Sequence, residues 1–337
     1  MALQAELLET TEALEPHLAG WDALAVARGR PYCAPGWMLS WLGAVAPPDA
    51  LLRACVVREG GELVAIAPLW TQDGDGGGRY GMLSEHTASP VEPLCVAGRE
   101  GDVAAAFGQL LAEANPGPRE IELKGAPAAS PWPRLLSEHV PGYSPSSIEC
   151  TRVMALPKLR LDQPSLDAWL ATRSRNFRQQ VRRAWRRLED SGAVLRVSSL
   201  EEIDGDVDAL SRLHHARWEP RGGSRALSPP VEEMLRLAAR ELGEERLRLL
   251  SIDVDGASIS AHLFVRAGGT WAYWLGGFDD RWAACRPSVQ VLVAAVEAAI
   301  ESGDKWFELG PGGQQYKYRF ADIEESVEWL TLRPAGG

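Results

Sequence analysis

Long hydrophobic runs are absent from this sequence of 337 residues. No apolar stretch approaches the roughly 20 residues that a helix needs to span a bilayer. The first residues, 1–6, also lack the basic start and the apolar stretch of a secretory signal. We therefore expect a cytoplasmic protein that does not insert into a membrane.

Cysteine is scarce as well. The five cysteines are odd in number and scattered, no two lie two to four residues apart, and no histidine is spaced as a further ligand. They are Cys33, Cys55, Cys95, Cys150 and Cys285. This pattern argues against a metal site and predicts buried free thiols.

Lysine is rarer still, with 4 lysines against 31 arginines, and the net charge is −11. General nucleic-acid binding is disfavoured, because such proteins normally show a basic footprint. Residues 1–150 carry 9 basic and 19 acidic side chains, whereas residues 151–337 carry 26 and 27. The two halves therefore differ in charge, and Lys317 is an uncommon choice of basic residue in this chain.

The length predicts two domains, since one hydrophobic core rarely keeps growing to this size. We place them at 1–150 and 151–337. In the first half the pattern predicts helices near 9–28 and 36–46, an apolar hairpin at 51–57 and 62–70, a flexible loop at 73–78, a strand near 80–83, a helix at 102–114, a strand at 121–125, a short helix after Pro131 and an extended stretch near 148–156.

The second half opens with an amphipathic helix at 174–192, where Ser174 can cap the start and Gly192 the end. The elements predicted after it are a strand at 193–197, helices ending near Trp218 and at 229–242, a three-stranded meander over 246–278, a helix at 287–303 and strands at 305–309 and 326–333. The fold class is α/β (α+β), with a mixed, mostly antiparallel sheet flanked by helices in each half. Aligning Gly61 with Gly256 matches two strand-turn-strand hairpins, which favours an internal duplication.

A candidate anion site lies where the helix at Pro287 begins directly after the meander. A helix start offers free N–H groups and the positive end of the dipole, which suit a diphosphate. The candidate cofactor-binding residues are Gly276, Gly277, Phe278, Arg286, Ser288, Val289 and Gln290. The alternative is an ordinary capped helix.

Four sequence blocks resemble a known family. They are W-x-Y-W-L-x-G-F-D-D-x-W-A from Trp271, G-D-x-W-F-E-L-G-x-G-x-x-x-Y-K-Y-R-F from Gly303, S-R-N-F-R-Q-Q-V-R-R-A-W-R-R-L-E from Ser174 and L-H-H-A-R-W from Leu213. They resemble the CelD-like (BcsL-type) acetyltransferases, a branch of the GNAT superfamily related to Fem-type peptidyltransferases. The resemblance covers roughly residues 150–335 and implies two tandem GNAT-like domains with acetyl-CoA or another acyl-CoA as co-substrate.

The resemblance also implies a role for residues 305–320. Lys317 would stabilise the oxyanion of acyl transfer, and Tyr316 or Tyr273 would protonate the departing thiolate. His262, on the central strand of the meander, is a further catalytic candidate, although a lone strand histidine is more often a core residue. Alternatively, Tyr316 packs in the core and Lys317 is solvated. An extended backbone would direct Tyr316 toward the core and Lys317 toward the groove, whereas a helical backbone would direct both side chains to neighbouring positions.

Seven arginines lie between residues 173 and 187. Arg175, Arg178, Arg182 and Arg186 share one ridge at helical spacing, and so many like charges favour an anionic partner. The first three, together with Trp218 and Arg319, are the candidate substrate-binding residues. The alternative is a solvated face that pairs with the acidic first half.

We therefore expect an acyltransferase that moves an acyl group, with acetyl as the expected one, to an amine or hydroxyl of a small molecule or of a glycan or peptide precursor. Ser288 stands where the family has glycine, and the Gln/Arg-x-x-Gly-x-Gly/Ala loop is absent. A non-catalytic or carrier-binding module on the same scaffold is therefore one alternative. A Fem-type aminoacyl-tRNA-dependent transferase is the other, so tRNA stays open as a partner, although the sequence is acidic and shows no coiled-coil arm.

Overall fold

The computed structural model describes residues 2–72 and 77–335. Most of the predicted loop 73–78 lies outside these residues. Contacts divide the chain into one unit of Met1–Ala155 with Glu325–Gly337 and a second unit of Leu156–Glu324. The last strand thus belongs to the first unit, whereas a boundary at residue 150 leaves it in the second half.

The first unit is a mixed sheet with flanking helices. Its elements are β1 (Leu3–Leu8), α1 (Thr11–Leu14), α2 (Leu18–Ala27), α3 (Pro35–Ala44), β2 (Leu51–Glu59), β3 (Glu62–Gln72), β4 (Gly78–Met82), β5 (Leu94–Cys95), α4 (Glu100–Glu113), β6 (Pro118–Pro127), α5 (Trp132–His139) and most of β7 (Tyr143–Arg160). The sequence analysis assigned no element to the residues of β1, which precede the first predicted helix at 9–28. The predicted hairpin is β2 and β3, paired from Leu51↔Thr71 to Glu59↔Glu62.

The second unit contains the longer helices. Its elements are α6 (Leu166–Thr172), α7 (Arg175–Glu189), β8 (Val194–Val197), α8 (Ile203–Trp218), α9 (Pro229–Leu242), β9 (Leu247–Val254), β10 (Ala257–Ala267), β11 (Thr270–Phe278), α10 (Pro287–Glu301) and β12 (Trp306–Glu308). Strand β13 (Ile323–Pro334) follows and pairs with β6 in the first unit.

Helix α7 shows how the sequence dictates one of these elements. The Ser174 hydroxyl accepts a hydrogen bond from the Phe177 amide at 3.2 Å, which caps the helix. Phe177, Val181 and Leu188 recur at helical spacing and are buried. Because the apolar face is used in this way, the arginines project from the other face.

The two units share one strand order. It is β1-β2-β3-β4-β6 in the first and β8-β9-β10-β11-β12 in the second. In each, the last pair is parallel and the preceding pairs are antiparallel. The predicted fold class, a mixed and mostly antiparallel sheet flanked by helices in each half, is confirmed, and the hairpins at Gly61 and Gly256 occupy equivalent places.

Strand β11 has two irregularities in its pairing. Its parallel pairing with β12 ends at Ala272↔Glu308. Its register with β10 shifts between Leu263 and Phe264, which leaves Trp274 as the extra residue of a bulge. Beyond Ala272, β11 is no longer paired with β12 but continues to pair with β10 on the other side of the bulge.

The remaining sequence-level expectations concern cysteines and membranes. All five cysteines are free; Cys33, Cys55 and Cys95 are buried, but Cys150 is exposed and Cys285 half-buried, so the prediction of buried thiols was too broad. Within residues 2–72 and 77–335, no cluster of three or more potential ligands could hold a metal ion. No helix in the same ranges is long and apolar enough to cross a membrane.

Candidate active site

A cavity of about 530 Å³ lies in the second unit. Its walls come from α8, β10, β11, the start of α10 and the segment after β12. Ten of the residues predicted from sequence line it: Trp218, His262, Tyr273, Gly276, Phe278, Arg286, Ser288, Val289, Tyr316 and Lys317. Residues that are remote in sequence are thus brought to one place.

The glycine pair of β11 allows its neighbours to approach closely. A Cβ on Gly276 would lie 2.2 Å from Nδ1 of His262, and a Cβ on Gly277 would lie 2.5 Å from the backbone nitrogen of His214. Both distances are far below van der Waals contact. The glycines therefore let the His262 ring and helix α8 pack against β11, which is a different reason for glycine from the ligand approach that the sequence suggested.

His262 is enclosed by this packing. Its side chain is 2% exposed, and neither ring nitrogen has a hydrogen-bond partner among the described residues. Burial lowers the pKa of its imidazole to about 3, and the Arg217 cation acts in the same direction. The ring lies 5.4 Å from that of Tyr273. His262 is therefore a neutral imidazole with two unpaired polar atoms at the wall of the cavity.

The depressed pKa of His262 predicts a pH dependence of stability. Below pH 6.5, the pKa of His262 in the unfolded chain, the unfolded state binds a proton at this imidazole and the folded state does not. The contribution of His262 to the free energy of unfolding is therefore full above pH 6.5 and is lost as the pH falls toward 3. We expect His262→Gln to reduce the slope of unfolding free energy against pH by up to about 1.4 kcal/mol per pH unit. Urea unfolding at several pH values measures it. His215→Gln is the control, and an unchanged slope in His262→Gln would contradict the buried neutral state.

Two tyrosines lie on the same cavity. The Tyr316 side chain hydrogen-bonds with that of Tyr273, and burial nevertheless raises the pKa of Tyr316. The Tyr316 phenol therefore stays protonated at neutral pH. At the rim, Trp218 is 41% exposed, and the Arg217 guanidinium lies 4.1 Å from the centre of the Phe278 ring.

Lys317 lies at the start of a 3₁₀ turn, Lys317–Arg319, so the segment is helical rather than extended. Its ammonium donates to the carbonyl of Gly310 at 2.8 Å and to that of Pro311 at 2.9 Å. Burial lowers the pKa of Lys317 to about 8. Because an ammonium carries three N–H donors, one is left for a ligand. Gly310, with φ 73°, provides the turn that brings these carbonyls to the lysine.

A second cavity, of about 340 Å³, adjoins the start of α10 and shares Arg286, Val289 and Tyr316 with the first. The side-chain oxygen of Gln180 accepts hydrogen bonds from Arg286 at 2.5 Å and from Arg319 at 3.0 Å. Within the described residues, neither arginine forms an ion pair with a carboxylate. Two cations thus converge on a neutral amide beside a helix N-terminus, which is a suitable environment for an anion.

The helix start itself is built by Arg286, which has φ 49° and ψ 51° and precedes Pro287 in the first turn. The amides of Val289 and Gln290 donate to the Arg286 carbonyl. Ser288 and Val289 line the larger cavity, and Gln290 lines the smaller one. The predicted cofactor-binding residues are therefore divided between two adjoining cavities, except Gly277, which lines neither.

The arginine ridge is not brought to the larger cavity. Arg178 donates to the backbone carbonyls of Ala171 and Arg173, at 3.0 and 2.7 Å, and so ties α7 to α6. Arg182 lines a separate cavity and lies 3.9 Å from Asp167, while Arg175 is exposed. Of the predicted substrate-binding residues, only Trp218 lines the larger cavity and Arg319 the smaller.

Sequence reasoning missed several residues of these walls. Gln180 joins two arginines that are remote in sequence, and Arg217 bonds Asp280 at 2.9 Å while it covers Phe278. Gln314 lines the cavity within the glycine-rich segment. No local pattern distinguishes Gln180 from its neighbour Gln179, because only the tertiary structure places one of them against α10.

A comparison with protein families matches most of the second unit. Residues 175–318 match the family model described as acetyltransferase (GNAT) domain, and this range includes all the residues that line both cavities except Arg319 and Phe320. No functionally curated protein matches the sequence.

Solved structures match over nearly the whole chain. FemX aligns with a TM-score of 0.65 at 12% identity, covering 98% of this chain and 97% of that one. A conserved protein of unknown function from Bacteroides thetaiotaomicron gives 0.58 at 10% identity, with 98% and 100% covered. L-PGS from Bacillus licheniformis gives 0.56 at 12% identity, with 97% and 93% covered. At such identities these similarities show the fold, a mixed sheet flanked by helices in each unit, and the second unit contains the matched acetyltransferase domain.

Proposed function

We propose that the second unit is an acyltransferase that takes an acyl group, with acetyl as the expected one, from acyl-CoA. The observation that carries this proposal is the junction of the two cavities at the start of α10. On one side lie two arginines that share a neutral amide, and on the other lie Lys317 and the tyrosine pair. A donor with an anionic diphosphate and a reactive thioester matches both sides.

The diphosphate would lie against Arg286 and Arg319 at the N-terminus of α10. Both guanidinium groups would exchange the neutral oxygen of Gln180 for phosphate oxygens, which form stronger, charge-assisted hydrogen bonds. The absent glycine-rich loop is compensated in this arrangement by side-chain cations. The thioester would then lie in the larger cavity, beyond Ser288 and Val289.

The groups around the thioester match the charges that develop in acyl transfer. Attack on the carbonyl carbon creates an oxyanion, to which the third N–H of Lys317 would donate. The carbon–sulfur bond then breaks, and the thiolate takes a proton from the phenol of Tyr316 or Tyr273.

Calorimetry with acetyl-CoA and longer acyl-CoAs tests the binding step. We expect Arg286→Gln and Arg319→Gln each to weaken binding roughly 10- to 100-fold, because each loses a charge-assisted contact of about 1.5–3 kcal/mol. Arg240→Gln is the matched control, since Arg240 lies on α9 and pairs with Asp204 at 2.8 Å. Absence of binding of any acyl-CoA up to millimolar concentration would overturn the proposal. Binding without thiol release with any acceptor would favour a non-catalytic module instead.

A further inference from the structure

The charged side chains that line the larger cavity are all cations. None of its described lining residues is an aspartate or a glutamate, and its charged groups are the cations Arg217, Arg286 and Lys317. Asp280, which pairs with Arg217, is not part of the lining. An acceptor that enters as an ammonium ion would therefore lose its hydration without gaining a counter-charge from the lining, and would face the like charge of Lys317.

The second relevant feature of the cavity wall is the unpaired imidazole of His262. A neutral imidazole offers one N–H donor and one nitrogen lone pair, and both ring nitrogens of His262 lack partners among the described residues although the side chain is 2% exposed. Buried polar atoms normally have partners, so a partner from outside the chain is expected here. A hydroxyl group can be such a partner, because its O–H donates a hydrogen bond to the lone pair of the imidazole and its oxygen can accept one from an N–H.

The charge of the lining and the unpaired imidazole together identify an acceptor class. We propose that the acceptor is an uncharged or anionic molecule that presents a hydroxyl to His262, so that the reaction is O-acylation. This inference rests on the acyltransferase function proposed above, and it selects the hydroxyl from the amine and hydroxyl acceptors that the sequence left open.

The reaction balances with the groups present. The hydroxyl oxygen attacks the thioester carbonyl, a carbon–oxygen bond forms, and the hydroxyl proton passes to the free lone pair of His262. The carbon–sulfur bond breaks, and the thiolate takes a proton from the tyrosine pair. The proton on His262 then returns to the tyrosinate directly or through solvent, so that the products are an ester and the free thiol of CoA.

His262 acts directly in this scheme, and its uncharged state makes it available. Because burial keeps the imidazole unprotonated, the lone pair is present throughout the neutral pH range. Attack on the carbonyl makes the hydroxyl proton strongly acidic, so a weak base is sufficient to remove it.

The test compares small acceptors of the two classes in a thiol-release assay with acetyl-CoA. Glycerol and butanediol represent hydroxyls, and butylamine and spermidine represent amines that are cationic at neutral pH. We expect the hydroxyl probes to increase thiol release above hydrolysis and to yield esters by mass spectrometry, while the amines give no amide. Amide formation at an equal or higher rate than ester formation would overturn the proposal. So would thiol release that neither class of acceptor accelerates at about 0.1 M.

Variants of His262 test the residue itself. His262→Gln keeps hydrogen-bonding atoms but cannot carry the proton, so we expect kcat for the hydroxyl probe to fall roughly 100-fold with KM little changed. His262→Phe removes both functions and is expected to raise KM as well. His215→Gln is the matched control, because His215 bonds the Leu227 carbonyl at 2.7 Å and does not line the cavity.

The two proposals fail in distinguishable ways. If the wild-type protein binds no acyl-CoA in calorimetry, the acyltransferase function fails. If it binds acetyl-CoA but acylates amines, or if His262→Gln keeps the wild-type rate, only the hydroxyl acceptor or the role of His262 fails.

Discussion

Lys317→Met is expected to lower kcat for acyl transfer by about 10²–10³, the loss that follows removal of one oxyanion donor. The methionine fills a similar volume but has no N–H to offer to the developing charge. Lys317→Arg is expected to be almost as slow, since a planar guanidinium cannot replace a compact ammonium between two carbonyls. Single-turnover rates with a fixed acceptor measure the effect.

The structure adds a second consequence of this substitution. The sequence alone predicts that Lys317 affects turnover and hardly affects stability. Its bonds to Gly310 and Pro311 mean that Lys317→Met also leaves two carbonyls unpaired, so residues 310–316 should exchange their amide hydrogens faster. A slow variant with unchanged exchange supports the oxyanion role, a slow variant with faster exchange adds a positioning role, and a wild-type rate contradicts both.

Gly277→Ala is expected to destabilise the second unit by about 1–3 kcal/mol or more, the range of overpacking. The new methyl group would lie 2.5 Å from the nitrogen of His214 and 2.7 Å from the carbonyl carbon of Leu213. These are backbone atoms of α8, which cannot rotate away as a side chain can. Urea unfolding measures the loss.

Gly276→Ala provides an internal comparison, because its clash is with the His262 side chain. We expect the cost of Gly276→Ala to shrink clearly when His262 is also alanine, and a double-mutant cycle measures this coupling. Gly205→Ala is the control: Gly205 lies in α8, a Cβ added there would have no neighbour within 4 Å, and alanine should be neutral or stabilising at this position. Equal costs at Gly276 with and without the His262 ring would contradict the packing described for β11.

Local patterns were sufficient for most of the elements. The start of α7 at Ser174, the hairpin of β2 and β3 and the helix at Pro287 follow from periodicity, caps and turn residues, which act within a few positions of one another. Strand β1 was missed because a short stretch such as Leu3–Leu8 has no such signal until β2 pairs with it.

The site was less accessible to sequence reasoning for a physical reason. Many residues of the cavity could be predicted from the resemblance to a family. Their hydrogen-bond partners could not, because those partners depend on tertiary packing. The bonds of Lys317 to two carbonyls, of Gln180 to two arginines and of Arg178 to the loop before α7 all join groups whose meeting depends on the completed fold. The same holds for His262, whose ring packs against Gly276 of the neighbouring strand.

Strand β13 has a consequence for the order of events during synthesis. It pairs with β6 in the first unit, yet residues 156–324 of the second unit precede it in the chain. While the ribosome is still synthesising the second unit, β6 lacks this partner strand. The N–H and C=O groups on the edge of β6 that later pairs with β13 can then bond to strands of other chains. Truncating the chain at residue 324 would make this state permanent. Aggregation of nascent or truncated chains should therefore originate in the first unit, even though the missing residues follow the second unit in the chain.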